Sequence, residues 1–158
     1  MFHELERLLN RAPALREFSL FSRYDDAFQL NGDFSGPIAF PCLELLHLGP
    51  EEISADKVYS FLGCAPKLKK IKFSGTITGV LPDLHFPELE TFDFRSPKRD
   101  YDDELSGTPL MNVVTLIAHA PKLKELKLEN ISLPDFFSET INLQNVTHLE
   151  LSYITLSD

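Results

Sequence analysis

The side chains in this sequence that could do chemistry are five histidines, His3, His47, His85, His119 and His148, and a series of charged residues recurring at similar intervals. The histidines lack the i, i+4 or CxxC-type spacing with which a metal site gathers its ligands, so they predict no metal centre. His119 falls where a helix should end, and a favourable interaction with the negative end of that helix is expected of it. No serine, cysteine or lysine has a sequence context that would activate it as a nucleophile, and the seven glycines form no phosphate-cradling run. Neither an enzyme nor a cofactor is expected.

The charged residues carry more information. Ser19, His47, Lys72, Asp93, Lys127 and Glu150 each stand between two apolar residues, as in Phe18-Ser19-Leu20 and Leu126-Lys127-Leu128. If these triplets are strands laid side by side about 4.8 Å apart, the six residues form one row, and the last four alternate in sign. One reading is a ladder of exposed ion pairs between strands, each contributing little. The other is a charged recognition surface for a protein or peptide, joined by Lys70, Arg95, Glu125, Glu129 and His148. The two are compatible, because charges that satisfy one another in the free protein can re-pair with a partner. Phe21, Leu45 and Tyr153 add apolar or aromatic surface beside the row and are expected to be mainly buried. Residues 95–107 read as an inserted surface loop in which Tyr101, Asp102 and Asp103, amid Asp100 and Glu104, could dock a basic segment or simply be solvated.

The elements that must position these residues follow from a recurring phrase, Pro, x, Leu, x, x, apolar, x, apolar. It runs through Pro13-Ala14-Leu15, Pro41-Cys42-Leu43, Pro66-Lys67-Leu68, Pro87-Glu88-Leu89 and Pro121-Lys122-Leu123, and ends at Val146 with Leu149 and Leu151. The anchors Leu15, Leu43, Leu68, Leu89, Leu123 and Val146 are 28, 25, 21, 34 and 23 residues apart, a period that marks a solenoid. Strands are predicted over 16–21, 44–48, 69–73, 90–94, 124–128 and 147–151. Helices are predicted over 2–11, from an N-cap at Ser54 to Leu62 with Gly63 ending it, and from Thr108 with Pro109 at its first position to about Ala118. Residues 22–40, 74–87 and 129–142 read as loops, the last with one turn at 135–138. About six irregular repeats result, alternately helix-backed and loop-backed, and the six anchors are expected to form one continuous apolar spine.

The phrases Arg11-Ala12-Pro13-Ala14-Leu15, Phe40-Pro41-Cys42-Leu43, Cys64-Ala65-Pro66-Lys67-Leu68, Phe86-Pro87-Glu88-Leu89 and His119-Ala120-Pro121-Lys122-Leu123 cover nearly the whole chain. They resemble the irregular, ribonuclease-inhibitor-like leucine-rich repeats of F-box-type proteins, most closely fungal ones. The resemblance implies an α/β solenoid with a parallel sheet on its concave side, acting in substrate recognition by a ubiquitin-ligase receptor whose adaptor-binding segment lies outside this chain. A free-standing scaffold or inhibitor module is the alternative. The asparagine or cysteine that such repeats place three residues after the last strand leucine is replaced by Arg23, Glu51, Thr76, Pro97, Ile131 and Ile154, so the usual buried side-chain ladder is expected to be missing.

A net charge of −9 argues against nucleic acid as a partner, since phosphate binding needs a surplus of lysine and arginine. No apolar run is long enough to span a membrane, and the first residues lack the features of a secretory signal, so a cytoplasmic or nuclear protein is expected. Cys42 and Cys64 then read as semi-buried packing residues, and the sequons Asn130-Ile131-Ser132 and Asn145-Val146-Thr147 as chance. Residues 1–158 read as a single domain. It begins inside a helix and stops directly after a strand, so a fragment lacking its caps, or end-to-end self-association, is expected.

Overall fold

The computed structural model describes residues 11–21, 40–49, 52–82, 84–97, 110–133 and 143–156. Six tight turns organise them. The Leu15 amide donates to the Ala12 carbonyl at 3.0 Å, and the same closure recurs at Leu43, Leu68, Leu89, Leu123 and Val146, all between 3.0 and 3.2 Å. Proline holds the second turn position in five of the six, where its fixed φ is already the one required. Gln144 takes that place in the sixth.

Each turn feeds a five-residue strand: β1 (Glu17–Phe21), β2 (Leu45–Gly49), β4 (Lys70–Ser74), β6 (Thr91–Arg95), β7 (Glu125–Glu129) and β9 (His148–Ser152). They form a six-stranded sheet in the order β1-β2-β4-β6-β7-β9, and every pairing is parallel. The chain therefore winds as a solenoid. The strands begin one residue later than the sequence pattern indicates, because the residue ahead of each already serves as a hydrogen-bonding step. The Lys69 carbonyl accepts both the Glu90 and Thr91 amides at 2.8 and 3.0 Å, and Arg16, Glu44, Glu90 and Lys124 do the same for the next unit.

Short second strands follow the main ones. β3 (Glu52–Ser54) pairs with β5 (Thr76–Thr78), and β8 (Ser132–Leu133) with β10 (Thr155–Leu156), again in parallel. β5 and β8 lie in segments expected to be loops. Two or three residues are too few to show a period of two, and such strands pair only because the stack has already brought them together. Helices α1 (Ala55–Leu62) and α2 (Leu110–Ala118) precede β4 and β7, while residues 79–82 and 84–90 ahead of β6 contain no helix. Ser54 sits at the N-cap of α1 with extended backbone but makes no side-chain capping bond. Gly63 ends α1 at φ −64°, its amide bonded to the Tyr59 carbonyl at 2.8 Å, so the left-handed freedom of glycine is not used there. The helix expected over 2–11 lies outside the described residues up to position 10, as do Thr108, Pro109 and the one turn expected at 135–138.

Alternate strand residues point inward. Leu43, Leu68, Leu89 and Leu123 are buried, while Leu15 and Val146 at the two ends of the spine are only partly so. Phe18, Phe40 and Phe61 meet with ring centroids 6.1–6.4 Å apart, tying β1, the second turn and α1 together. Phe73 and Phe94 stack at 5.2 Å between β4 and β6. Each fully buried side chain of this kind contributes about 1.5–3 kcal/mol of transfer free energy. On β9, however, the inward positions Leu149 and Leu151 are 51% and 54% exposed, whereas their β7 register partners Leu126 and Leu128 are 1% and 9% exposed.

That contrast fixes an expected result in chemical denaturation. Leu126→Ala lowers unfolding free energy by about 2–5 kcal/mol, as for a core leucine. Leu149→Ala lowers it by less than about 1 kcal/mol, since its side chain is half in water already.

Candidate functional site

Outward-pointing strand positions build a continuous solvent-facing surface on the six-stranded sheet. Its middle row is the one read from the sequence: Ser19 pairs with His47, His47 with Lys72, Lys72 with Asp93, Asp93 with Lys127 and Lys127 with Glu150. The flanking rows carry Glu17, Leu45, Lys70, Thr91, Glu125 and His148 on one side, and Phe21, Gly49, Ser74, Arg95, Glu129 and Ser152 on the other. The structure thus gathers all eleven sheet residues singled out from the sequence, Ser19 among them, onto one face. Tyr101, Asp102 and Asp103 of the 95–107 loop lie outside the described residues.

The ion pairing on this face differs from a simple ladder. Lys127 and Glu150 do pair across strands at 2.8 Å, and that contact raises the Lys127 pKa and holds the Glu150 carboxyl below the usual range. His148 Nε2 lies 3.8 Å from the same carboxylate. Asp93, by contrast, is taken by Arg95 of its own strand: Arg95 Nε donates to Oδ1 at 3.2 Å and Nη2 approaches Oδ2 at 3.5 Å. Arg95 also reaches Glu129 at 3.7 Å. The planar guanidinium can serve two carboxylates at once, which an ammonium on a neighbouring strand does less well. Asp93 is left with a side chain only 13% exposed. Among the described residues, Lys70 and Lys72 on β4 and Glu125 on β7 have no ion-pair partner within 4 Å. The face is therefore net positive over β4 and net negative over β7 and β9.

Beside Lys72 the surface dips. A hollow of about 340 Å³ is lined by Phe21, His47, Lys72, Ser74, Asp93 and Arg95, with Phe73 also contributing. Phe21 was expected to be mainly buried, yet it is 52% exposed, and Tyr153 is 70% exposed; Leu45 is half-buried. Position 21 points away from the core by strand alternation, so its ring rests on neighbouring strand surface instead. It meets the His47 imidazole edge-on at 4.4 Å. It also lies over Gly49, where an added Cβ would come within 2.9 Å of Phe21 Cδ1 and 3.2 Å of Ser74 Oγ. Burial, and then the nearby Lys72 charge, push the His47 pKa down, partly offset by Asp93.

Other charged residues lie at the turns. Glu44 bridges Arg16 at 3.7 Å and Lys69 at 2.8 Å, Glu90 pairs with Lys124 at 3.2 Å, and Glu88 with Lys122 at 2.8 Å. The Lys69 contact holds the Glu44 carboxyl below its usual range. Arg16, Glu44, Lys69, Glu90 and Lys124 thus alternate in sign one step ahead of β1, β2, β4, β6 and β7, and the cross-strand pairing anticipated for the middle row appears there at Arg16–Glu44, Glu44–Lys69 and Glu90–Lys124. Also on the turn side, a hollow of about 510 Å³ is lined by Pro87, Pro121, Leu143 and Val146 with His85 and His119. The two imidazoles meet edge-on at 4.9 Å, and His119 Nδ1 is buried without a hydrogen-bond partner. Nδ1 therefore makes no hydrogen bond to the end of α2.

Two residues dismissed as parts of chance sequons have structural roles. Asn130 Nδ2 donates to the Ser96 carbonyl at 3.0 Å, and Asn145 Nδ2 to the Pro121 carbonyl at 2.7 Å. Asn130 also adopts φ 56°, which asparagine tolerates better than most residues. One side-chain rung of the ladder expected to be missing is therefore present, two residues after Leu128 instead of three. Its sequence signal was an asparagine directly after a strand. Cys42 and Cys64 are free and half-buried, and burial pushes the Cys64 thiol up. Among the described residues no group of three or more His, Cys, Asp or Glu could hold a metal ion, and no helix is long and apolar enough to cross a membrane.

The His47 environment predicts a proton NMR titration with its midpoint below the ordinary histidine value of about 6.5. Lys72→Gln moves that midpoint upward by removing a like charge; an unchanged midpoint would show that Lys72 lies farther away. Stability linked to His47 is complete above pH about 6.5 and declines as pH falls below it, because the unfolded chain takes up the proton first. The chain matches no family model, no curated protein and no solved structure at a significant level.

Proposed function

We propose that this chain is a leucine-rich-repeat solenoid whose sheet presents a concave, charged recognition face to a protein or peptide partner, without catalysis of its own. The observation that carries the reading is the imbalance of that face. Lys70 and Lys72 stand without ion-pair partners among the described residues, Glu125 stands likewise two strands along, and Phe21 is half exposed on the edge strand β1. A surface serving stability alone gains nothing from unpaired charges, whereas opposite charges in separate zones steer and orient a complementary partner. The face is also built on rigid strands, which position contact residues better than loops do.

The phrase pattern supports a more specific role as the substrate-recognition part of an F-box-type ubiquitin-ligase receptor in the cytoplasm or nucleus. The adaptor would then bind a segment outside this chain. A free-standing scaffold or inhibitor module uses the same face without the ligase, and co-purification of the ligase adaptor with the full-length gene product separates the two. The net charge of −9 speaks against nucleic acid as the partner of either. The half-exposed Leu149 and Leu151 favour a second contact, end-to-end pairing of two chains through β9. Sedimentation that finds one monomeric mass at every concentration removes that contact.

Charge reversal tests the recognition face. Lys72→Glu together with Lys127→Glu is expected to weaken binding of the captured protein partner by at least about tenfold while leaving far-UV circular dichroism unchanged. Unaltered affinity assigns those lysines to structure alone.

A further inference from the structure

Resting on the recognition reading above, we propose that the hollow over β1, β2, β4 and β6 seats one acidic side chain of the partner protein, a glutamate or aspartate, with Lys72 as its ion partner. At about 340 Å³ the hollow is at the small end of the range that takes whole small molecules, and it suits a single inserted side chain.

Its lining defines the charge it accepts. Arg95 and Asp93 neutralise each other at 3.2 Å, and Arg95 is drawn further towards Glu129 at 3.7 Å, so their charges cancel within the lining. Lys72 is the remaining cation, and it has no ion-pair partner among the described residues. Four groups of the lining titrate or carry charge: His47 from β2, Lys72 from β4, and Asp93 and Arg95 from β6. With His47 neutral they sum to a single positive charge. One carboxylate balances it. A phosphoryl group, at about −1.5 to −2, would bring surplus negative charge against Asp93. The walls fit the same occupant: the Phe21 ring and its edge contact with His47 at 4.4 Å offer apolar surface to a methylene stem, while the imidazole N–H and the Ser74 hydroxyl can donate to the carboxylate head.

Gly49 keeps the seat in shape. A side chain there would meet Phe21 at 2.9 Å and Ser74 Oγ at 3.2 Å, displacing the wall and the hydroxyl together.

The test uses arrays of short peptides, degenerate except for one central position fixed as Glu, Asp, Gln or phosphoserine, probed with the labelled full chain. The proposal expects the Glu or Asp pools to bind about tenfold better than the Gln pool, the scale of one charge-assisted hydrogen bond. Lys72→Gln erases that preference, Gly49→Ala weakens it, and Lys122→Gln, at a turn away from the sheet face, preserves it. Equal binding of Glu and Gln pools, or a preference that survives Lys72→Gln, overturns the seat. A preference for phosphoserine over both acids overturns the carboxylate assignment. If charge reversal of the face releases the captured partner while the acidic pools show no advantage, only the seat falls. If charge reversal releases nothing and no pool binds, the recognition reading falls with it.

Discussion

The structure depends on a carbonyl group that accepts two amides. At Arg16, Glu44, Lys69, Glu90 and Lys124, the backbone oxygen just ahead of one strand takes both the equivalent amide and the following one of the next unit, at 2.8–3.0 Å. The same register of units is then carried through five parallel pairings. A slip of one residue in any pairing would turn leucines and phenylalanines to solvent and charges to the core, at a cost far above the marginal stability of a domain. Because the turn and the strand recur as one phrase, the units can differ in what lies behind them. A helix, a short second strand or an irregular segment serves equally, provided it covers the inward row.

Register also decides the chemistry of the exposed face. Residues 21–34 positions apart become neighbours, and small differences in side-chain geometry then select which of them pair. Lys127 finds Glu150 across the strands, but Asp93 is held by Arg95 from two residues along its own strand. The consequence is that Lys72 has no ion-pair partner among the described residues and that the imidazole next to it has its proton affinity reduced by burial and by that same ammonium. Phe21 closes the side of this region by lying across Gly49, a contact that links the edge strand to the centre of the sheet.

Much of this was legible in the sequence. Proline, leucine and two alternating apolar residues give a turn and a strand by local rules alone, and repetition places the strands side by side. The spine and the order of the middle row followed. What the sequence does not display is any choice settled by tertiary neighbours. The Glu52–Ser54 and Thr76–Thr78 strands have too few residues to show a period. Whether Asp93 bonds Lys72, Lys127 or Arg95 depends on reach and on guanidinium geometry. Phe21 was expected to be buried because it is aromatic, yet its outward strand position wins. Asn130 and Asn145 resembled glycosylation signals, whereas their amides close gaps between adjacent turns.

The central claim is that the six phrases stack in one register, in sequence order, so that Ser19 and Glu150 end the same row. Spin labels at Ser19→Cys and Glu150→Cys, with Cys42 and Cys64 replaced by alanine, measure this by double electron–electron resonance. Five strand steps of about 4.8 Å place the two backbones about 24 Å apart, and a single narrow distance near that value, lengthened only by the labels, is the predicted result. A much longer distance, or a distribution without a maximum, would contradict the stack and with it the recognition face proposed on it.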